Sequence, residues 1–144
     1  MIVYAESSAV LAWLLGEPSQ HLVRLSRAEA DRVVSSSLTA LECARGLLRA
    51  RHGRRLKSAE ELAALQLLDV VGRGWDVLDL SERVLARARE SFPVEPVRSL
   101  DALHLATATL FRDALGPLTI LSFDERVRDN APGLGLGVLP ARLP

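Results

Sequence analysis

Short apolar runs along the chain alternate with longer stretches in which apolar residues recur every three or four positions. Ile2-Val3-Tyr4-Ala5 reads as a strand, and Ser7 or Ser8 then caps a helix from Ala9 to Leu15 that Gly16 and Pro18 close. A helix over Gln20 to Ala30 follows, then a second strand from Arg32 to Ser35. Ser36-Ser37 leads into a helix from Leu38 to about Arg51, interrupted at Gly53. Leu62, Leu65, Leu68 and Val71, at three-residue spacing, mark a helix over Ala59 to Val71 that Gly72 and Gly74 end. Trp75 to Leu78 is a weak strand, Ser81 to Glu90 a helix, and Pro93 and Pro96 make a loop. Near the C-terminus come a strand over Leu118 to Ser122, a short helix over Asp124 to Asn130 and a last strand over Leu136 to Leu139. This alternation predicts an α/β fold in one domain over 1–144, with a central parallel sheet of about four to five strands covered by helices on both faces.

The stretch Arg98-Ser99-Leu100-Asp101-Ala102-Leu103-His104-Leu105-Ala106-Thr107-Ala108 stands apart from the rest. It predicts a helix with Ser99 as its N-cap, running without Gly or Pro to Gly116. Apolar and small residues cover it almost all round, the pattern of a buried helix. Asp101 sits in its first turn with no partner in the local pattern. An ionised group there needs a cation, hydrogen-bond donors, or water in a cleft.

Composition narrows the classes. With 18 basic and 18 acidic residues the formal charge is zero, so any affinity for a polyanion must be local. The single cysteine, Cys43, excludes an internal disulfide and suits a reducing compartment. No apolar run is long enough to span a membrane, and the chain begins directly with a strand rather than a signal sequence, so a soluble cytoplasmic protein with no membrane partner is expected.

Four carboxylates fall where an open parallel sheet gathers its chemistry, at the carboxyl ends of strands. Glu6 follows the first strand, Glu42 lies in the first turns of the helix after the second, Asp101 starts its own helix, and Asp124 follows the strand ending near Ser122. Clustered carboxylates repel one another unless a cation joins them, and oxygen ligands suit Mg²⁺ or Mn²⁺. Such an ion can lower the pKa of water and orient it at a phosphodiester. Glu6, Glu42, Asp101 and Asp124 are therefore the catalytic candidates, with Glu6, Asp101 and Asp124 as the metal ligands. Each also has a purely structural reading. Thr39-Ala40-Leu41-Glu42 matches a capping box, Arg45 can pair with Glu42 one turn on, Asp101 can favour the helix dipole, and Asp124 can be an N-cap. His104 is assigned to support, as a hydrogen-bonded core residue rather than a general base. Ser8 can orient the site or simply cap a helix.

Between Arg45 and Lys57 six basic residues occur with no acidic one. Arg45 and Arg49 share a helical face with Glu42, an electrostatic footprint for a nucleic-acid backbone beside the carboxylates. A solvated helix end is the plainer reading, and the scattered aromatic residues form no base-stacking platform in sequence.

These segments together resemble a family. Ile2-Val3-Tyr4-Ala5-Glu6-Ser7-Ser8-Ala9 resembles the opening of PIN-domain proteins, a strand followed by D-x-S-A. Leu38-Thr39-Ala40-Leu41-Glu42 looks like their helical glutamate segment, Arg98 to Ala108 is close to their most recognisable motif, and Leu121-Ser122-Phe123-Asp124-Glu125-Arg126 resembles their final acidic motif. The order matches along the whole chain, and the size is similar to VapC toxins of type II toxin–antitoxin systems. The resemblance implies a PIN fold, Mg²⁺- or Mn²⁺-dependent endoribonuclease activity on RNA, a VapB-type antitoxin partner and a tendency to form a homodimer. One position departs from the pattern: the family's first aspartate is Glu6 here. That change supports the alternative of a catalytically weakened PIN-fold module that binds RNA or protein. A phosphoacceptor receiver-like domain, a third α/β class, is discounted because it needs a lysine after a late strand and Lys57 is the only lysine.

Overall fold

The structure, a computed structural model, describes the backbone of residues 1–144 and every side chain except those of Leu22 and Leu25. Five strands make one sheet: β1 (Ile2–Ala5), β2 (Arg32–Ser36), β3 (Asp76–Leu78), β4 (Leu118–Leu121) and β5 (Gly137–Leu139). Their order is β3-β2-β1-β4-β5 and every pairing is parallel. The helices are α1 (Ser7–Leu14), α2 (Gln20–Ala28), α3 (Ser37–His52), α4 (Ser58–Gly72), α5 (Glu82–Ala88), α6 (Ser99–Leu115) and α7 (Glu125–Asn130). The architecture expected from the sequence is the one observed.

Period-two geometry explains why β1 is apolar at every position. Tyr4 lies opposite Val34 and Ile120 and packs with Leu105 and Ala108 of α6 and Val127 of α7. Val3 and Ala5 point to the other face, where Val3 meets Ala9 and Leu121, and Ala5 meets Val10, Cys43 and Leu68. The central strand is thus buried on both sides. Ile120 and Leu105 are fully enclosed, and truncating a side chain of that kind to alanine typically costs about 2–5 kcal/mol.

The chain builds outward from β1 through β2 to β3, then returns to the opposite side of β1 with β4 and β5. Direction reverses between β1 and β4, and a crevice opens at such a switch point beyond the carboxyl ends of the strands. Because α6 feeds the amino end of β4, the first turn of α6 lies on that same rim. The fold therefore carries Asp101 to the strand ends that bear Glu6 and Asp124.

Several local expectations are corrected. Glu6 itself caps α1, so the helix starts at Ser7 rather than Ala9. Ser99 is the first residue of α6, and Arg98 occupies the cap position without a side-chain bond. In α3 the cap is Ser36, whose hydroxyl accepts from the Leu38 N–H at 3.0 Å, so Thr39 and Glu42 form no capping box. The Thr39 hydroxyl instead accepts from Ser35 Oγ at 2.9 Å, tying α3 to β2. α6 is buried through its small and polar positions, among them Ala102, Ala106, Thr107 and Ala108, whereas Leu100 is 49% exposed on the rim. It ends at Gly116, whose φ of 94° favours glycine.

Candidate active site

Glu6 leaves β1 while its backbone N–H still donates to the Leu121 carbonyl at 3.1 Å, which holds the β1/β4 seam closed up to the site. Its side chain is only 5% exposed and folds back over the start of α1. Oε1 accepts from the Ser8 N–H at 3.1 Å. Oε2 accepts from Ser122 Oγ at 2.7 Å and from the Ser8 hydroxyl. Both hydroxyls are aimed by backbone donors: Phe123 N–H reaches Ser8 Oγ at 2.9 Å, and Asp124 N–H reaches Ser122 Oγ at 3.1 Å. A buried carboxylate is tolerated when donors surround it in this way.

Glu42, on α3, faces α6. Its Oε1 accepts from Ser7 Oγ at 2.7 Å and lies 2.5 Å from His104 Nε2. Burial opposes its charge, but the hydrogen bonds from His104 and Ser7 and the nearby Arg49 outweigh it, so its pKa falls below the ordinary carboxylate value. The His104 ring is buried, with Tyr4 OH 2.7 Å from Nδ1 and Ser7 Oγ 2.9 Å from Nε2. The expectation that His104 is a hydrogen-bonded core residue agrees with this position. The i+3 pair expected between Arg45 and Glu42 is not formed among the described residues; histidine and serine take that oxygen instead.

Asp101 is half-buried, and its pKa is raised by burial first, then by the negative charges of Asp124 and Glu6, with Arg126 and His104 opposing. These carboxylates therefore repel one another across the rim. Asp124 does cap α7, through Oδ1 and the Arg126 N–H at 2.9 Å, and its position next to Asp101 is unaffected by that role.

One donor atom each from Glu6, Glu42 and His104 lies within 4.8 Å of the others. Asp101 and Asp124 fall outside that tight group. His104 Nε2 sits at hydrogen-bond distance from Glu42, and a nitrogen that donates a proton there is not free to ligate an ion. Asp101 feels the charges of both Asp124 and Glu6, and oxygen donors of this kind suit a hard divalent cation. Cys43 offers no alternative nucleophile, since burial and the charges of Glu6 and Glu42 push its thiol up to about 12.

Arg45 and Arg49 are exposed on α3. Other members of the basic stretch are absorbed by structure: Arg51 Nε donates to Glu61 at 2.9 Å, and Arg55 lies 3.8 Å from Glu17. Tyr4, Ser7 and Ser122 line the site without having been expected there. Ser122 has a local signal, a hydroxyl two residues before Asp124 at a strand end. Tyr4 has none, because its partner is 100 residues away.

A parallel α/β fold with carboxylates gathered at its switch point is the class that fold and site define. The chain belongs to the PIN-domain family, whose model matches residues 3–132. It is 36% identical to Ribonuclease VapC46 of Mycobacterium tuberculosis (strain ATCC 25618 / H37Rv), over 95% of both chains. Ribonuclease VapC35 of the same species is 31% identical over 96% of both. Among solved structures, a toxin–antitoxin complex from Klebsiella pneumoniae superposes with a TM-score of 0.66 at 15% identity, covering 99% of each chain. VapBC2 from Rickettsia felis, bound to a DNA fragment from its promoter, gives 0.63 at 13% identity, covering 96% of this chain and 97% of that one.

Proposed function

We propose that this chain is a metal-dependent endoribonuclease that acts as the toxin of a VapBC-type toxin–antitoxin pair. The observation that carries the reading is the set of repelling carboxylates on one rim, in a chain more than a third identical to a named ribonuclease. Glu6, Asp101 and Asp124 would hold a Mg²⁺ or Mn²⁺ ion. When bound, that ion supplies an activated water and polarises the phosphodiester. Glu42, kept ionised, would accept a proton from the attacking water. Ser8 and Ser122 orient Glu6, and Ser8 would also contact the substrate. Among the described residues no helix is long and apolar enough to cross a membrane.

The test is cleavage of RNA by protein stripped with EDTA. Adding Mn²⁺ or Mg²⁺ back restores cleavage on this reading. Cleavage by the stripped protein in EDTA, or none with either ion, contradicts it.

Arg45 and Arg49 hold the RNA backbone. Replacing both with glutamine weakens binding of unrelated RNAs alike and flattens the salt dependence by about 0.7 in slope for each lost phosphate contact. Filter binding across a salt series measures this. A loss confined to one RNA sequence would mean that these arginines read bases.

A VapB-type antitoxin is the protein partner. It has a groove of about 450 Å³ to fill, between α3, α4 and β3, lined by Thr39, Ala40, Leu65, Leu68, Trp75 and Val77. Co-purification from the native operon recovers the pair; a chain recovered alone, active and harmless to its host, counts against the partner.

A further inference from the structure

Tyr4 on β1 and His104 on α6 are both buried, and nothing in the carboxylate chemistry above uses them directly. Their rings meet edge to face, with centroids 5.9 Å apart and planes at 78°. The hydroxyl of Tyr4 lies 2.7 Å from His104 Nδ1, and His104 Nε2 lies 2.5 Å from Glu42 Oε1. We propose that Tyr4 and His104, helped by Ser7, are positioning residues that pin Glu42 through Oε1 and leave its second oxygen turned to the cleft.

The directions of the bonds follow from what each group can do. A carboxylate only accepts, so the proton of the imidazole is on Nε2. On this proposal the metal-free ring carries that one proton, so Nδ1 accepts and Tyr4 is the donor. Ser7 Oγ gives Oε1 its second bond at 2.7 Å. Both donors reach the same oxygen, and the Glu42 side chain retains 27% of its surface exposed. Without them, a partly exposed glutamate would sample several rotamers and lose side-chain entropy on each reaction. The connection from Tyr4 through His104 ends on a partly exposed carboxylate.

The inference rests on the ribonuclease reading, and the experiment separates the two. Long-range ¹H–¹⁵N NMR of the metal-free protein reads the His104 tautomer without any cleavage. The wild type carries a single tautomer protonated at Nε2, and Tyr4→Phe, which keeps the ring, turns it into a mixture. In single-turnover cleavage, Tyr4→Phe slows the step about tenfold with the half-saturating RNA concentration unchanged, and by less than about twofold when Glu42 is already glutamine. His104→Gln, which can still donate to Glu42, keeps more of the rate than His104→Leu. A proton on Nδ1 overturns the proposal, as does equal slowing by Tyr4→Phe with and without the Glu42 carboxylate. If the wild type cleaves no RNA with any ion, the ribonuclease reading fails, and the tautomer measurement alone decides the positioning.

Discussion

Asp101→Asn abolishes RNA cleavage, a loss on the order of a thousandfold or more by comparison with single members of other catalytic clusters. The same change leaves the metal-free fold intact or more stable. Burial and the charges of Asp124 and Glu6 raise the Asp101 pKa in the folded chain. A carboxyl raised in this way costs no stability below its unfolded value; the cost grows as pH climbs to the folded pKa and is complete above it. Above that folded pKa the ionised Asp101 strains the metal-free protein, and asparagine removes that strain while keeping the shape. Added Mn²⁺ raises the melting temperature of the wild type by mass action and leaves that of Asp101→Asn nearly unchanged. Calorimetry with and without Mn²⁺, beside a cleavage assay, checks both halves. A fully active variant that resists EDTA removes Asp101 from the site.

Glu6→Gln loses most metal-dependent cleavage, by about a hundredfold, the scale set by misplacing or weakening one contact at a reacting centre. Glu6→Asp retains activity or raises it. The extra methylene of glutamate moves the carboxylate roughly 1.5 Å farther from the backbone than aspartate would. The structure takes up that length by folding the side chain back, so that Oε2 reaches Ser122 as well as Ser8. Aspartate shortens this reach and leaves the charge, whereas glutamine keeps the reach and removes the charge. Single-turnover rates across a Mn²⁺ titration of the three proteins separate the effects. Identical rates and metal midpoints for wild type and Glu6→Gln would remove Glu6 from the site.

The strands were legible because a sheet buried on both faces writes continuous apolar runs, as in Ile2 to Ala5 and Leu118 to Leu121. The four carboxylates stood out because each follows a strand or opens a helix, and topology alone then brings such positions to one rim. Caps were less legible. Ser7, Ser8 and Ser99 all carry the right side chain for a cap, yet Glu6 and Arg98 hold those positions, since the bend depends on where β1 and the preceding loop release the chain. Glu42 was ambiguous for a related reason. Thr39 and Arg45 offered it local partners, and donors from α1 and α6 took the oxygen instead. The Tyr4–His104–Glu42 connection joins residues 100 and 62 positions apart, a relation that no local spacing encodes.

The central claim is that the carboxylates at the switch point share one divalent cation. Anomalous X-ray scattering from crystals soaked in Mn²⁺ locates that ion directly. The account predicts a single strong peak bounded by the side chains of Glu6, Asp101 and Asp124, lost in crystals of Asp101→Asn. A peak held instead between Glu42 and His104, or no peak in the crevice at saturating Mn²⁺, would contradict it.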